Sequence, residues 1–296
     1  MANIKTNSIK AWLLAFRPKT LTGAATPVML GCALAIQSNN FIFPAALLCF
    51  IFAFLMQIDA NLINDLFDFV KGSDRADRLG PKRACAQGWI TIYAMKRGIA
   101  FITMCAALTG VLLLFYGGLE MIPIGILCLI FAFLYTAGPY PLAYNGWGDI
   151  LVIIFFGFIP VGCTYYVMCH DWNMNVTITS LACGLIIDTL LIVNNYRDIE
   201  QDSLSGKKTI IVKFGKEVGE KLYLYTGIIA IILCSIIAFE GYIWAFILPS
   251  LYIIPHYFTW KKMKRISKGK ELNLILGETS RNIILFGILL SVGLML

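Results

Sequence analysis

The stretch FIFPAALLCFIFAFLMQIDANLINDLFDFVKGSDRAD, from Phe41 to Asp77, is apolar as far as residue 64 and then turns into a cluster of amides and carboxylates. An apolar run of that length matches the ~20 residues that a membrane-spanning helix needs. Carboxylates beside hydrocarbon are costly and mark an ion or substrate site rather than a packing choice. Offsets of three and four place Asn61, Asp65 and Asp68 on one helical face, with Asn64 beside Asp68. Such a face offers several oxygens to one hard divalent cation, so Mg2+ carrying a polyanion is the expected ligand. Gly72 then breaks the helix. The polar turn after it holds Asp74, Arg75, Asp77, Arg78, Lys82 and Arg83, which interleaves carboxylates for metal with guanidinium groups for phosphate oxygens. A loop that served topology alone would need the Lys and Arg but not Asp and Asn at ligand spacing. Asp59, and Asp188 further on, lie deeper in their apolar runs and fit either a supporting role at the site or a polar contact to another helix.

The pattern extends along the chain. Of 296 residues, 59% are hydrophobic and 14% charged, with a mean hydropathy of +0.77, which indicates a polytopic membrane protein rather than a soluble core. Nine apolar stretches can be drawn, roughly 20–37, 41–64, 91–116, 119–136, 147–169, 176–196, 219–239, 243–260 and 273–295. They use up the chain, so one all-α integral-membrane domain over 1–296 is predicted. The first apolar run follows Arg17-Pro18-Lys19 and shows no processing site, so no cleaved signal peptide is expected. The nine Cys are scattered without metal-site spacing and read as small apolar packing residues.

Positive charges give an orientation. With a cytoplasmic N-terminus, four of the 24 Lys and Arg lie in the N-terminal tail, seven between Asp65 and Arg97, six between Arg197 and Lys221 and six between Lys261 and Lys270. Only Arg281 is left over, and the connections near Ser38, Gly117, Asp171 and Gly241 carry none. This positive-inside pattern turns both acidic clusters to the cytoplasm. The net charge of +7 reflects that topology and attraction to anionic membrane lipid. Because the basic residues are split among short loops, nucleic-acid binding is excluded.

A second cluster, NNYRDIEQD from Asn194 to Asp202, echoes the first. Asn64-Asp65-Leu66-Phe67-Asp68 aligns with Asn194-Asn195-Tyr196-Arg197-Asp198, each ending an even-numbered span, and Asp198 and Asp202 are one helical turn apart. Duplicated helix ends facing each other across a cavity are one way to build a membrane site. Two such ends can hold two Mg2+ and both ends of a diphosphate. Gly206, Lys207 and Lys208 follow in a turn suited to phosphate oxygens. The GxxxxGK[ST] spacing is absent and no strand precedes, so nucleotide hydrolysis is unsupported. The segment YTAGPYPLAYNGWGD, Tyr135 to Asp149, is the one cytoplasmic connection without Lys or Arg. Its aromatics fit an interfacial belt, as for Trp147, or a site where Tyr135, Tyr140 and Tyr144 turn hydroxyls to a diphosphate and ring faces to an allylic cation.

Over nearly its whole length the chain resembles the UbiA superfamily of intramembrane aromatic prenyltransferases. The resemblance implies nine transmembrane helices around a central cavity. It also implies two Asp-rich motifs, NDxxDxxxD and DxxxD, that bind Mg2+ and the diphosphate of a polyprenyl donor; here these are Asn64, Asp65 and Asp68, then Asp198 and Asp202. The third Asp of the first motif would fall at Gly72, and the acid is displaced to Asp74. That variant is followed by DRLGP and RACAQGWI. With FRPKTLTGAATPVMLGCALA from Phe16, FFGFIPVGCTYYV from Phe155 and VNNYRDIEQDSLSGKKTIIVKFG from Val193, it is similar to the branch that prenylates 1,4-dihydroxy-2-naphthoate in menaquinone synthesis.

The implied reaction is Mg2+-dependent transfer of a polyprenyl group from polyprenyl diphosphate to 1,4-dihydroxy-2-naphthoate, with loss of diphosphate and carbon dioxide and formation of demethylmenaquinone. Asp65, Asp68, Asp198 and Asp202 are then catalytic and, with Asn64 and Asp74, hold the metal. Asn61, Asn64, Arg78, Arg83, Tyr135, Tyr140, Tyr144, Asn194, Asn195, Lys207 and Lys208 are expected to bind substrate. Neither His170 nor His256 is expected to act as a base. Two other readings stand beside this one: the same chemistry on another aromatic acceptor such as 4-hydroxybenzoate, and a cation-coupled secondary transporter with paired acidic helices. The transporter has no need of Arg- and Lys-rich loops on the same face.

Overall fold

A computed structural model describes residues 4–74 and 78–296; within them every regular element is helical. Helices α1 (Ile9–Phe16) and α2 (Leu21–Gln37) meet at Arg17, where a φ of 51° and a 3-10 turn at Pro18–Thr20 bend the pair by 56°. Helices α3 (Phe43–Val70), α4 (Ile92–Gly117) and α5 (Met121–Leu134) follow. After a 3-10 turn at Leu142–Asn145, α6 (Gly148–Val152) runs through a π-helical stretch, Ile153–Gly162, into α7 (Cys163–Cys169). The chain ends with α8 (Met174–Leu204), α9 (Ile210–Phe214), α10 (Lys216–Phe239), α11 (Trp244–Ser250), α12 (Ile253–Ile266) and α13 (Leu272–Met295).

Among the described residues, six helical segments are long and apolar enough to cross a membrane: α3, α4, the continuous α6 to α7 segment, α8, α10 and α13. The bent α1–α2 pair makes a seventh. The other two apolar stretches of the sequence are also helical but shorter. Residues 119–136 form α5, whose 14 residues span about 21 Å, less than the ~30 Å of a hydrocarbon core. Residues 243–260 divide into α11 and α12 around Leu251 and Tyr252, beside Pro249, which has no N–H to continue the ladder. On α4, Phe101, Met104, Leu108, Val111, Leu112 and Phe115 are exposed at spacings of one, three and four, an apolar stripe that suits lipid rather than water.

Packing is close where glycines face a neighbouring backbone. A Cβ at Gly184 of α8 would lie 2.9 Å from Ile153 Cα, and one at Gly157 would lie 2.9 Å from Gly184 Cα. The π-helical stretch therefore rests on the backbone of α8, the small-residue approach that lets membrane helices gain dispersion contacts without a hydrophobic drive. Helix α8 is the most enclosed of the spans and packs also on α10 and α13.

Two helices outrun the membrane. The 28 residues of α3 and the 31 of α8 reach about 42 and 46 Å, more than the ~30 Å of a hydrocarbon core, so each is long enough to carry its acidic end to the membrane surface. Both ends lie on one side of the bundle, where hydrogen bonds tie residues 73 to 144, 79 to 273 and 208 to 144. On the opposite side Tyr165 bonds Ser38 and Asn173, which agrees with the alternating connections read from charge.

Candidate active site

The acidic helices terminate in the same way. Gly72 has φ +70°, its N–H meets Phe69 O, and Ser73 N meets Asp68 O at 2.9 Å. Gly206 has φ +74°, its N–H meets Ser203 O, and Lys207 N meets Asp202 O at 2.9 Å. Both are glycine-terminated helix caps of the Schellman kind, in which a left-handed residue lets the chain turn back over the last carbonyls. The departure from the family motif at Gly72 thus has a physical reason, because an L-residue there would be strained. By this geometry Asp68 matches Asp202 rather than Asp198, one turn away from the sequence alignment.

Tyr144 joins the two ends. Its hydroxyl donates to Asp68 Oδ1 at 2.9 Å and lies 2.7 Å from Ser73 Oγ. Lys71 Nζ and Lys207 Nζ are each 4.9 Å from its ring centre. Lys207 also pairs with Asp202 Oδ1 at 3.0 Å. Burial would lower the Lys207 ammonium, but Asp202 and Asp68 outweigh it and hold the group above its ordinary value, so it remains a cation. Lys71, whose Nζ donates to Thr136 O at 2.6 Å, is lowered by burial.

The remaining carboxylates are held individually. Asp65 is buried and accepts from the backbone N–H of Ala84 at 2.8 Å and of Cys85 at 2.9 Å, which caps the turn beginning there. Asp68 Oδ2 accepts from Arg83 Nη2 at 3.2 Å. Asp74 Oδ1 takes Arg78 Nη1 at 2.6 Å and has Arg83 Nε at 3.6 Å; burial pushes its carboxyl up to about 6 against the pull of Arg78. Asp198 is gripped by both Nε and Nη2 of Arg197.

A cavity of about 380 Å³ opens beside this cluster. Arg17, Asn61, Asn64, Tyr135 and Asn194 line its polar end. The rest is mostly apolar, with Phe52, Met56, Phe131 and Phe155 in its wall and Gln57 and Thr164 among the few polar groups. Cys49 and Asn64 of α3 both line it, and their separation along the helix is about 22 Å at 1.5 Å per residue. Asn61 is fixed by donating to Phe16 O and Thr20 Oγ1, and Asn64 accepts from Thr136 Oγ1 at 3.0 Å.

Among the described residues no three Asp, Glu, His or Cys side chains form a ready metal shell. Mg2+ does not need one, since it binds one or two carboxylates and takes its other oxygens from water and substrate phosphates. The side chains fit that mode: Asp74 Oδ2, Arg83 Nε and Nη1 and Arg17 Nη2 are buried without hydrogen-bond partners. An acceptor and several guanidinium donors left unpaired beside carboxylates are what a cation–phosphate pair would satisfy.

Asp68, Asp74, Arg78, Arg83, Tyr144, Asp202 and Lys207 are thus brought together, and Asn61, Asn64, Tyr135 and Asn194 face the cavity beside them. Tyr140 is 59% exposed, the Lys208 side chain is exposed, and Asn195 does not line the cavity. Asp77 and Arg75 fall outside the described residues. Sequence reasoning missed Arg17, Lys71, Ser73 and Thr136. The Asp-x-x-x-Gly spacing shared by Asp68–Gly72 and Asp202–Gly206 was a readable signal for two of them.

Comparison with known proteins places the chain among relatives of one family. The family described as the UbiA prenyltransferase family matches residues 24–276. The chain is 40% identical over 223 residues to 1,4-dihydroxy-2-naphthoate octaprenyltransferase of Escherichia coli, covering 72% of this chain and 71% of that protein. It is 32% identical over 304 residues to the protein of the same name from Haemophilus influenzae, covering 97% and 96%. A UbiA homolog from Archaeoglobus fulgidus bound to GPP and Mg2+ shares the fold with a TM-score of 0.68 at 20% identity, over 95% of this chain and 99% of that one.

Proposed function

The chain belongs to the UbiA prenyltransferase family, and on that premise we propose that it transfers a polyprenyl group from polyprenyl diphosphate to 1,4-dihydroxy-2-naphthoate. Diphosphate and carbon dioxide are released, and the ring product leaves as the quinol form of demethylmenaquinone. One observation carries the reading: a cluster of cations and carboxylates centred on Tyr144 meets the polar end of a long apolar cavity. A diphosphate head and a hydrocarbon tail need those two surroundings side by side.

Asn64, Asp65, Asp68, Asp74, Asp198 and Asp202 are the groups that would hold Mg2+, which when bound adds positive charge at the phosphate oxygens. Lys207, Arg83, Arg78 and Arg17 place further charge where negative charge develops as the allylic C–O bond breaks, and they are preorganised by the bonds described above. The Phe131 and Phe155 rings, 5.1 Å apart in the cavity wall, and Tyr135 present π faces to the allylic cation and exclude water from it. The electron-rich ring carbon that bears the carboxylate then forms the new C–C bond, and the carboxylate departs from that carbon as carbon dioxide with its bonding pair returned to the ring. The site faces the cytoplasm of the bacterial inner membrane, a reading supported by the distribution of Lys and Arg.

The test is purified protein with polyprenyl diphosphate, Mg2+ and a panel of aromatic acids. A kcat/KM for the naphthoate about a hundredfold above that for 4-hydroxybenzoate is expected from one extra ring in an apolar pocket. Preference for 4-hydroxybenzoate would retain prenyl transfer and reassign the acceptor. Absence of diphosphate release with every acceptor would reject the enzyme.

A further inference from the structure

Arg197 sits inside the second acidic motif, yet none of the roles above uses it. Its side chain is 2% exposed. Nε donates to Asp198 Oδ1 at 2.7 Å, Nη2 to Asp198 Oδ2, and Nη1 to Asn273 Oδ1 at 2.8 Å. Asn273, near the start of α13, passes the connection on: its Nδ2 donates to Leu79 O at 2.9 Å, across 194 positions of sequence. The Leu79 N–H faces Gln201 Oε1 at 3.5 Å. The next residue lies against the guanidinium, since a Cβ at Gly80 would be 2.8 Å from Arg197 Nη2. Leu79 stands in the loop whose Arg78 holds Asp74 and whose Arg83 holds Asp68. An unbroken path therefore runs from Asp198, through Arg197 and Asn273, to the loop that orients the first acidic cluster.

We infer that Arg197 and Asn273 form a positioning relay, through hydrogen bonds to Asp198 and Leu79, that sets the two acidic clusters at the separation one metal–diphosphate group requires. The inference rests on the site reading proposed above. Its physical basis is the planar fork of the guanidinium, which fixes both oxygens of Asp198 while a third N–H engages Asn273; a lysine ammonium cannot reproduce that geometry. Groups that orient a ligand's carboxylate act on metal affinity without touching the metal.

The experiment measures the Mg2+ concentration for half-maximal turnover, the acceptor KM and thermal stability of full-length protein carrying Asn273→Ala, Arg197→Gln or Arg197→Lys. Asn273→Ala and Arg197→Gln should each raise the Mg2+ requirement about tenfold or more, with the acceptor KM unchanged. Arg197→Lys should not restore it. The double variant Arg197→Gln/Asn273→Ala should be no worse than Arg197→Gln alone, because both break one path. If Arg197→Gln does not fold, Asn273→Ala decides by itself: lowered stability with a wild-type Mg2+ requirement overturns the relay. So does full rescue by lysine. Asp198→Asn separates the two ideas. Wild-type turnover in that variant rejects the site reading, whereas an inactive Asp198→Asn with a wild-type Mg2+ requirement in Asn273→Ala rejects only the relay.

Discussion

The hydroxyl of Tyr144 donates a 2.9 Å hydrogen bond to Asp68 Oδ1, which fastens the connection between α5 and α6 to the acidic end of α3. The same side chain lies against Lys207 from the end of α8, and the backbone carbonyl of Tyr144 accepts from Lys208 N at 2.7 Å. Three connections that are far apart in sequence thus converge on one phenol. Burial and the neighbouring Asp68 push that phenol well above its ordinary pKa, so it stays a neutral donor.

Removing only the hydroxyl separates its two roles. Tyr144→Phe keeps a ring for Lys71 and Lys207 but leaves Asp68 one donor short, and a hydrogen bond to a charged group is worth about 1.5–3 kcal/mol. The expected fall in kcat/KM for the donor is about tenfold or more. Tyr144→Ala also releases both ammonium groups and should fall further. A Tyr144→Phe enzyme with wild-type kcat/KM would remove this bond from the mechanism.

The acidic residues should divide into two classes. Asp202→Asn, whose partner Lys207 is partly exposed, is expected to lower kcat about a hundredfold or more while the protein still unfolds near the wild-type temperature. Asp68→Asn and Asp198→Asn should lose as much activity and also some stability, because each leaves a buried guanidinium short of a partner. Asp65→Asn should be inactive and also less stable by about 1–3 kcal/mol, because an amide cannot accept from both Ala84 N and Cys85 N. Thermal unfolding measured beside turnover distinguishes the classes, and equal stability of all four variants contradicts the division.

Packing of the π-helical stretch on α8 makes Gly184 intolerant of a side chain. Gly184→Val should cost about 1–3 kcal/mol through overpacking. Gly277→Ala is the control: a Cβ there meets nothing within 4 Å, and a helical Ala for Gly should stabilise by about 0.5–1 kcal/mol. Thermal midpoints moving in the same direction for both variants would refute the close approach.

Orientation can be read with an impermeant thiol reagent in a background lacking the nine native Cys. Lys208→Cys and Asp171→Cys are both at exposed positions and on opposite ends of the bundle. Cysteine at 208 should label from the cytoplasmic side and cysteine at 171 only from the other side. Labelling of both from one side rejects the topology.

What was legible in the sequence was local. Apolar run length and helical period depend on residues close together in the chain, so the spans, the acidic helix ends and the polarity of the connections could all be read from the stretch Phe41 to Asp77 outward. Even the shared capping of α3 and α8 was present, in the spacing from Asp68 to Gly72 and from Asp202 to Gly206. Span count was less legible, because α5 is short and α11 and α12 are separated by a break that hydropathy averages over.

Tertiary structure decided which of the polar atoms meet. Tyr140 and Tyr144 share one loop and one residue type, yet only Tyr144 reaches Asp68 while Tyr140 is exposed. Asp65 and Asp68 share one helical face, yet Asp65 accepts one amide on each oxygen, from Ala84 and Cys85, and Asp68 meets Arg83 and Tyr144. Sequence determined the helices and where charge collects along them, because those follow from short-range sterics and the cost of burying polar groups in hydrocarbon. The partners of each charge were settled only when distant loops closed on one another, since hydrogen bonds are short and directional and nothing in the order of residues says which loop will arrive.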